Sequence, residues 1–469
     1  MTKKKKMLLT LVAVMILIMA VAYAGMAIYF GRHFYSNTTI NGINCTEMDA
    51  KEAKQLLSDD VHVYTLTLVE MDGTKEILTA EQLGLSFRDD GEVDQLLENQ
   101  NSWLWIREFF SDKQHELKVS VEVDEDTVRS AVKELSCMQE GNYTSPVDAA
   151  LVETDTGYEI TQEVEGNQLD TEKTVAAVCQ AAVDGSETID LSAAGCYLKP
   201  AVYQDNAELV EQRNYKNQLV SANLTMDFGS GRTETVDTAL LKTWIVQDET
   251  GKDVIDQNQI RAYVSTLAEK YNTFQTTRYF EKTGGGTAVL TAGDYGWLMD
   301  EETTAADLSA AIAEGRQGTF EVTYTNTAKS RALNDIGSSY VEISIDQQTM
   351  WCYVDGQLIV STPVVTGCVS KGTETPRGGV WKVKTRKTDY TMTGKTDPET
   401  GKPSYTAHCN YWVPYSEDLT IGLHDLVTRS AFGGDIYLTN GSHGCVNTPL
   451  EAMKQIFDVV AYGFPVVVY

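Results

Sequence analysis

The sequence predicts an N-terminal transmembrane helix, then α+β modules, and a mostly β domain at the C-terminus. Three observations predict this order. The chain opens with a long uncharged apolar run, and its middle alternates helical and strand-like hydrophobic patterns. Residues 338–469 then consist chiefly of short strand-like runs rich in Val, Ile, Tyr and Trp. The length of 469 residues leaves room for about three domains of ordinary size.

The N-terminal segment has the features of a membrane anchor. Residues 3–6 are lysines, and residues 7–30 carry no charge. A helix over that run is ~36 Å long at ~1.5 Å per residue, enough to cross a hydrocarbon core of ~30 Å. Because basic residues favour the cytoplasmic side, we expect residues 1–6 to be a cytoplasmic tail and residues 7–30 a single-pass anchor in the cell membrane. The rest of the chain, including its C-terminal domain, is then expected to be extracellular.

A cleaved signal peptide is the alternative for the same segment. Ala22 and Ala24 are small residues that flank a candidate cleavage site. The apolar run continues past that site to Phe30, which favours an anchor that stays uncleaved.

The middle of the chain is predicted to contain α+β modules. We expect an extracellular α+β segment over residues 36–120, a first module over 121–220 and a second over 221–335. Residues 77–85 resemble residues 289–297, because each follows a Gly-containing turn and precedes an acidic helix, which indicates an internal repeat. The sequence leaves open whether residues 36–120 form their own domain or complete the first module. Amphipathic patterns predict helices over residues 49–57, 124–137, 171–184 and 256–271.

The C-terminal domain, residues 338–469, is predicted to be mostly β. Asp355-Gly356 fits a two-residue hairpin turn between two of its strands. A single helix is predicted, over residues 450–462, because Met453, Ile456 and Val460 share one face. Strands are predicted over residues 340–345, 350–354, 358–365, 380–384, 435–438 and 465–469.

Charge and cysteine content exclude some classes of protein. The net charge is −29, and residues 338–469 are nearly balanced, so the acidity lies before them. Such a chain is unsuited to binding nucleic acid, which attracts basic surfaces. Eight cysteines occur without a CxxC pair or framework spacing, so no disulfide scaffold is predicted.

The chemistry-bearing residues cluster near the C-terminus. His424 is followed by the run Ser442-His443-Gly444-Cys445-Val446-Asn447. A thiol becomes a nucleophile when a nearby base takes its proton, so Cys445 is the candidate nucleophile. The base is either His424 or His443, and the residues alone do not choose between them.

Neighbouring residues fit supporting roles in acyl transfer. Gly444 lets the backbone N–H groups of His443, Gly444 and Cys445 form an oxyanion hole. Ser442 and Asn447 are suited to hold the turn through side-chain hydrogen bonds. Asp425 follows the candidate base and offers its carboxylate or its backbone carbonyl to orient the imidazole.

A structural thiol and a zinc site are two other interpretations of the same residues. In the first, Cys445 is a buried thiol in a tight turn and not a nucleophile. A zinc site has the right ligand types, but no ordinary knuckle spacing is present, so neither a metal nor another cofactor is predicted. The residues of that alternative site are His408, Cys409, His424, His443 and Cys445.

These motifs resemble a known enzyme family. Residues 421–425 (Ile-Gly-Leu-His-Asp), 432–434 (Phe-Gly-Gly) and 442–447 closely resemble the signature of L,D-transpeptidases with a YkuD-type catalytic domain. Thr375-Pro376 and Gly378 resemble its Thr-Pro-x-Gly turn. The resemblance implies a β-sandwich fold for residues 338–469. The preceding repeats are similar to peptidoglycan-binding modules that accompany this enzyme in some Gram-positive bacteria.

The resemblance also implies a reaction. Cys445 attacks the peptide carbonyl before the terminal D-Ala of a tetrapeptide donor stem, D-Ala leaves, and a thioester forms. An amine of an acceptor stem resolves the thioester and gives a 3→3 cross-link in peptidoglycan. The family's pattern assigns the base role to His424 and a supporting role to His443.

Further partners follow from the same resemblance. Tyr405 and Trp412 lie where the family carries a flap over the donor site, and we expect them to bind substrate together with Ser442 and Asn447. Carbapenem-type β-lactams are expected to acylate Cys445.

Two other functions remain open. Water in place of the acceptor amine would make the protein an L,D-carboxypeptidase or cysteine peptidase that trims stems. A wall-binding scaffold with an inert Cys445 is the non-enzymatic alternative.

Overall fold

The structure is a computed structural model that describes residues 2–117, 120–394, 396, 398–403 and 405–469. The chain forms two compact units, which are described separately. The first unit contains residues up to 151 together with 160–210. The second contains residues 152–159 and 211–469.

The first unit begins with a long apolar helix, α1 (Lys3–Phe30). An 18-residue window of it has a mean hydropathy of 2.7, and this is the one helix of the described residues long and apolar enough to cross a membrane. Its large side chains are exposed along most of its length. Near its C-terminal end Ala27 and Phe30 are buried, and Gly31 caps the helix through its N–H to the Ala27 carbonyl.

Short strands and helices follow α1. In chain order they are β1 (Thr38–Ile40), β2 (Ile43–Asn44), α2 (Ala50–His62), β3 (Thr65–Val69), β4 (Lys75–Thr79), β5 (Ser86–Arg88), α3 (Glu92–Glu98), α4 (Trp105–Glu108), β6 (Lys113–His115), β7 (Ser120–Glu122), α5 (Glu125–Glu134), β8 (Leu151–Thr154), β9 (Gly157–Ile160), α6 (Thr171–Val183), β10 (Thr188–Asp190) and α7 (Ala207–Leu219).

Most of the first unit shares one core. β3 pairs antiparallel with β4 and parallel with β10, and helices α5 and α6 cover this sheet. Leu66 and Leu78 on the strands and Val128 and Val178 on the helices are buried in the same cluster. The expected boundary at residue 120 therefore runs through a core that joins residues 66–85 to residues 128–197. Residues 34–57 and Val93 form a smaller separate core.

Most residues of β8, β9 and α7 belong to the second unit, which continues with a module of the same plan. Its elements are β11 (Asn223–Asp227), β12 (Thr233–Val236), α8 (Thr238–Lys242), β13 (Ile245–Gln247), β14 (Asp253–Ile255), α9 (Gln257–Tyr271), β15 (Arg278–Glu281), β16 (Thr287–Leu290), β17 (Ala292–Gly293), β18 (Leu298–Met299), α10 (Glu301–Ala313), β19 (Gln317–Thr319) and β20 (Tyr324–Asn326).

The topology of this module repeats that of the first unit. β11 pairs antiparallel with β12 and parallel with β19, and helices α9 and α10 cover the sheet. Aspartates are the N-cap residues of three covering helices: Asp170 of α6, Asp256 of α9 and Asp300 of α10. Each side chain accepts hydrogen bonds from N–H groups of the first helical turn. The prediction of repeated α+β modules is therefore confirmed.

The predicted register of the repeat is wrong. Residues 77–85 include the end of β4, which pairs antiparallel with β3. The strand with the same position in the second module is β12, which pairs antiparallel with β11. Residues 289–297 lie instead in β16, β17 and the turn after them, outside that sheet. A short strand next to a glycine turn occurs at many places in a fold, so the local likeness did not specify which strand it matched.

The C-terminal domain is a β-sandwich. Its elements are β21 (Tyr340–Ser344), β22 (Thr349–Val354), β23 (Gln357–Pro363), β24 (Gly379–Lys382), β25 (Lys387–Thr393), β26 (Thr406–Pro414), β27 (Gly422–Asp425), α11 (Ile436–Asn440), β28 (Val446–Thr448), α12 (Leu450–Val459) and β29 (Pro465–Val468). Six strands form one sheet in the order β17-β24-β29-β21-β22-β23, and four form the other in the order β25-β26-β27-β28.

Side chains from both sheets and from α12 form the core of this domain. Ile343 and Val466 from the larger sheet, Leu423 and Val446 from the smaller one and Ile456 from α12 are buried together. Central strands such as β29 are buried on both faces, which explains their continuous apolar sequence. The mostly β prediction is confirmed.

Two local predictions in this domain had opposite outcomes. The Asp355-Gly356 turn is confirmed: both residues have positive φ, 49° and 78°, as a two-residue hairpin of this type requires. The strand predicted over residues 435–438 is wrong, because Ile436–Asn440 is a short helix. Ile436 and Leu438 alternate with other residues as in a strand, but four residues are too few to separate that period from a helical one.

Within the second unit the module and the sandwich share a sheet. β17 pairs in parallel with β24 and forms the edge of the six-stranded sheet. Gly293 allows this approach, since its φ is 102° and a Cβ there would lie 1.8 Å from the Val380 carbonyl oxygen. A buried ion pair lies beside this joint, where Arg278 donates from Nε and Nη2 to the two carboxylate oxygens of Asp335 at 2.9 and 2.7 Å.

Replacing Arg278 by Ala is expected to destabilise the second unit by about 3–5 kcal/mol, because it leaves the buried Asp335 carboxylate without its charge partner. Arg377→Ala is the matched control, since the Arg377–Asp346 pair is exposed and is expected to contribute at most about 1 kcal/mol. Calorimetric unfolding of the two variants measures the difference. Equal unfolding temperatures would contradict the assigned importance of the buried pair.

Candidate active site

Three neighbouring strands align the candidate catalytic residues. β27 pairs antiparallel with β26 and parallel with β28. The register places Trp412 opposite His424, and His424 opposite Asn447. Cys445 immediately precedes β28. The fold therefore brings together residues that are separated by more than 30 positions in the chain.

The Cys445 thiol lies in an apolar pocket. It is 6% exposed and packs in a cluster with Met392, Cys409 and Trp412. Its Sγ donates a hydrogen bond to the Thr420 carbonyl at 3.4 Å. The eight cysteines are all unpaired, so this thiol is free.

Burial determines the protonation state of this thiol. Desolvation raises the pKa of Cys445 to about 11, against a weaker opposing effect of the Gly422 backbone. At neutral pH the group is therefore a thiol and not a thiolate. A base must remove its proton for it to act as a nucleophile.

His424 is held as a neutral imidazole. It is 4% exposed, and its Nδ1 lies 2.9 Å from the Asp425 carbonyl oxygen. A carbonyl oxygen only accepts hydrogen bonds, so Nδ1 carries the proton and Nε2 carries the free lone pair. Burial lowers the pKa of His424, although contacts with Asp425 partly oppose the shift. The side chain is therefore an unprotonated base at neutral pH.

Trp412 connects the base to the thiol. Its indole ring is 5.8 Å from the His424 ring, centroid to centroid, and it belongs to the same buried cluster as Cys445. The side chain is buried, and Tyr390 stacks on it at 5.7 Å. Trp412 thus forms an apolar wall beside both groups.

Asp425 contributes its backbone to His424 and its carboxylate to the sheet. The carboxylate accepts hydrogen bonds from the Asn410 N–H, the Asn410 side-chain amide and the Tyr411 N–H at 3.2, 2.8 and 2.7 Å. Of the two orienting groups that the sequence left open, the structure places the carbonyl against the imidazole. The carboxylate instead ties β27 to β26.

The turn that carries Cys445 is closed by Ser442. Its Oγ accepts a hydrogen bond from the Gly444 N–H at 3.1 Å and donates one to the Cys445 carbonyl. Gly444 has a φ of 114°, which favours glycine. Because the Gly444 N–H is used inside the turn, the N–H groups of His443 and Cys445 are the ones with no hydrogen bond to a described residue.

Two threonines brace the same turn from outside. The Thr375 hydroxyl accepts from the Gly367 N–H at 2.9 Å and donates to the Gly444 carbonyl at 2.8 Å. Thr373 donates to the Ser442 carbonyl at 2.8 Å. The sequence showed Thr375 as part of a Thr-Pro-x-Gly motif, but only the fold reveals that its hydroxyl reaches a turn 69 residues away.

Thr375→Val is expected to loosen the nucleophile turn, because it leaves a buried N–H and a carbonyl unpaired at a cost of about 1–3 kcal/mol. Acylation of Cys445 should slow by roughly tenfold or more, since 1.4 kcal/mol corresponds to a factor of ten. Thr388→Val on the exposed face of β25 is the control. An acylation rate equal to that of the control would contradict the role of the Thr375 hydroxyl.

Of the other predicted site residues, Tyr405 and His443 contact each other, whereas Asn447 is buried. His443 is exposed, and its ring stacks on Tyr405 with centroids 4.5 Å apart and planes 10° apart. Asn447 is buried, and its backbone forms two hydrogen bonds with Val365 at 2.9 and 3.0 Å. Tyr405 and His443 therefore form an aromatic surface beside the thiol, whereas Asn447 holds the turn against the rest of the domain.

The residues of the zinc alternative do not converge. His408 is exposed, and its Nε2 lies 3.4 Å from the exposed carboxylate of Asp389. Among the described residues, the side chains close enough together to hold a metal ion are in the first unit. They are Glu70, Glu76 and Cys137. None of the five residues of the zinc alternative belongs to that group.

Comparison with protein families identifies both parts of the chain. Residues 338–468 match the YkuD family, described as the L,D-transpeptidase catalytic domain. Residues 78–190 and 230–321 match a family described as "Putative peptidoglycan binding domain". Each matched stretch contains the two helices that cover one of the sheets of common topology. No curated protein matches the chain.

Solved structures of similar sequence were also found. An L,D-transpeptidase from Enterococcus faecium, a cysteine-to-serine mutant, is 31% identical, with 55% of this chain and all of that chain covered and a TM-score of 0.46. The catalytic domain of the E. faecium enzyme acylated by ertapenem is 38% identical over 28% of this chain and 98% of its own, with a TM-score of 0.25. An L,D-transpeptidase from Mycobacterium tuberculosis is 20% identical over 28% of this chain and 61% of its own, with a TM-score of 0.24.

Proposed function

The chain belongs to the L,D-transpeptidase family, with a YkuD catalytic domain preceded by a peptidoglycan-binding domain, and we propose that it forms 3→3 cross-links in peptidoglycan through a thioester on Cys445. The observation that carries this proposal is the arrangement around the thiol. A protonated Cys445, a neutral His424 whose Nε2 is free to accept a proton, and two unused backbone N–H groups are the parts that acyl transfer requires.

The first half-reaction acylates the enzyme. His424 Nε2 takes the proton of the Cys445 thiol while Sγ attacks the carbonyl carbon that precedes the terminal D-Ala of a tetrapeptide stem. The N–H groups of His443 and Cys445 stabilise the oxyanion that forms. The C–N bond then breaks, the His424 imidazolium returns its proton to the amine of D-Ala, and the thioester remains.

The second half-reaction transfers the acyl group. An amine from a neighbouring stem attacks the thioester carbonyl, His424 accepts the proton of that amine, and the C–S bond breaks to release the thiolate of Cys445, which takes the proton back. The apolar wall of Trp412 keeps water away from the thioester. Tyr405 and His443 offer a stacked aromatic surface to the stems.

The other parts of the chain support a location at the cell wall for this reaction. We propose that α1 anchors the protein in the cell membrane with residues 1–6 in the cytoplasm and the catalytic domain outside, as its hydropathy and the lysines before it favour. The two peptidoglycan-binding stretches are proposed to hold the glycan or stems near the enzyme.

Incubating the full chain with disaccharide-tetrapeptide tests the proposed reaction. Cross-linked dimers one D-Ala lighter than two monomers are expected. Monomeric disaccharide-tripeptide as the sole product would contradict transpeptidation and favour the carboxypeptidase. An unchanged substrate would favour the wall-binding scaffold.

β-Lactams are proposed as covalent inhibitors of the same thiol. The related E. faecium domain is acylated by ertapenem, and another related structure is an avibactam carbamoyl enzyme. A carbapenem is therefore expected to add its mass to Cys445, because the strained lactam carbonyl takes the place of the stem carbonyl.

The acylation rate is expected to have a plateau that extends below the ordinary pKa of histidine. Acylation requires neutral His424, and burial lowers the pKa of that group, so activity is lost only as the pH falls through the lowered value. The thiol stays protonated throughout this window because the pKa of Cys445 is raised to about 11. Carbapenem acylation followed between about pH 4 and pH 9 tests this, and an acid limb centred above ~6.5 would contradict it.

A further inference from the structure

A second apolar surface of the first unit lies beside the end of α1. Residues 102–104 form a 3₁₀ turn that leads into α4, and the sequence of residues 103–110 is Trp-Leu-Trp-Ile-Arg-Glu-Phe-Phe. Its large apolar side chains point to solvent, and Phe110 is 85% exposed. We call these eight residues the aromatic segment. Its exposed apolar residues are Trp103, Leu104, Ile106, Phe109 and Phe110.

The aromatic segment is attached to α1. The Tyr23 hydroxyl donates a hydrogen bond to the Trp103 carbonyl, and the Tyr23 ring lies 6.2 Å from that of Trp103 and 5.8 Å from that of Trp105. Phe30 stacks on Trp105 at 6.0 Å, and the Gln100 side-chain amide donates to the Phe30 carbonyl at 2.6 Å. The last turns of the helix and the segment therefore form one packed structure.

The contact at Tyr23 determines the depth of the segment relative to a bilayer. Tyr23 follows Lys6 by 17 residues, a rise of ~26 Å along a helix, whereas the hydrocarbon core is ~30 Å thick. If Lys6 marks the inner edge of that core, Tyr23 lies just inside its outer edge. A side chain packed against Tyr23 must then lie at the boundary between acyl chains and headgroups.

The charges of the segment suit the same environment. Glu108 is buried and pairs with Lys113. It also lies 3.7 Å from the Arg107 guanidinium, whose side chain is 80% exposed. The segment thus presents to solvent apolar side chains and one cation, on a chain whose net charge is −29. Trp and Phe at the interface and a basic residue near lipid phosphates are the usual composition of membrane-contacting surfaces.

We propose that the aromatic segment is a second membrane contact, which inserts Trp103, Ile106 and Phe110 into the outer leaflet beside α1. The proposal rests on the membrane anchoring in the proposed function. Its occupant is lipid and not a second copy of the chain, because the segment lies at the depth where lipid already surrounds the helix. The contact holds the first unit against the membrane surface, so that α1 is not a flexible tether.

Fluorescence quenching in a bilayer tests the proposal. The full chain is placed in nanodiscs of phosphatidylcholine and phosphatidylglycerol, with or without bromine on the acyl chains. Brominated lipid is expected to quench part of the tryptophan emission, and most of this quenching should be lost in the double variant Trp103→Phe, Trp105→Phe. Trp244→Phe, in the core of the second unit, is the matched control and should retain it.

A rescue variant excludes misfolding as the cause. Phe110→Trp, added to the double variant, changes an exposed side chain and should restore the quenching by brominated lipid. Equal quenching in the wild type and the double variant would overturn the proposal. Tryptophan emission that depends on the protein-to-disc ratio but not on bromine would also overturn it, because it would indicate a second copy of the chain on this surface. Loss of the chain from the nanodiscs would overturn the anchor itself, whereas a retained chain without quenching would overturn only the second contact.

Discussion

Replacing Cys445 by Ala is expected to abolish both acylation by tetrapeptide and cross-linking, a loss on the order of 10⁴-fold or more in turnover. The variant lacks the atom that forms the thioester, and the backbone of the turn remains in place because Ser442 and Thr375 hold it. Dimer formation from disaccharide-tetrapeptide measures the loss. The same variant should bind donor stems with unchanged affinity, since its cavity loses only one sulfur.

Cys409→Ala is the matched control for this prediction. Cys409 is a second buried thiol in the same apolar cluster, its Sγ donates to the Tyr390 carbonyl at 3.4 Å, and burial raises its pKa to about 12. This variant should still form cross-links. If Cys409→Ala were inactive and Cys445→Ala active, the assignment of the nucleophile would be wrong.

Replacing His424 by Gln is expected to lower the acylation rate by about 10²–10⁴-fold at neutral pH. With the pKa of Cys445 raised to about 11, the thiol alone provides almost no thiolate, so removal of the base leaves it unreactive. The variant's rate should therefore rise about tenfold for each pH unit between pH 7 and pH 10, as the thiolate population increases. Single-turnover acylation by a carbapenem measures both effects.

His443→Gln is the comparison that separates the two histidines. His443 is exposed and stacks on Tyr405, and its ring is not part of the buried cluster that the described residues form around the thiol. Its replacement should change the affinity for stems more than the acylation rate. The contradicting result is an acylation rate of His443→Gln that falls as far as that of His424→Gln and recovers in the same way at high pH. That result would show that the assignment of the base to His424 is wrong.

Elements with long hydrophobic patterns were predicted correctly from the sequence, whereas two predictions that rested on short patterns were wrong. Long patterns such as residues 7–30 and the alternating runs near residues 340–365 were predicted with the right type of structure, because many residues repeat the same period. The helix Ile436–Asn440 was predicted as a strand because it is too short to show its period. The repeat register failed for a similar reason, since nine residues do not distinguish β12 from β16.

The site shows the same division between local and long-range information. Cys445 and His424 are recognisable in the sequence because a motif surrounds each of them. The use of the Gly444 N–H inside the turn, the separate roles of the Asp425 carbonyl and carboxylate, and the brace by Thr375 depend on hydrogen bonds between distant segments. No spacing in the sequence encodes those contacts, so only the folded chain reveals them.

Mass spectrometry of the acyl-enzyme is the most direct test of the central claim, which is that Cys445 carries the acyl group. The full chain is mixed with a tetrapeptide donor whose amines are acetylated, so that no acceptor amine is present, and is then quenched in acid and digested. The peptide that contains Cys445 is expected to carry the mass of the tripeptidyl group as a hydroxylamine-sensitive thioester, with one D-Ala released per chain. Release of D-Ala while Cys445 remains unmodified, or an adduct on another residue, would contradict the account.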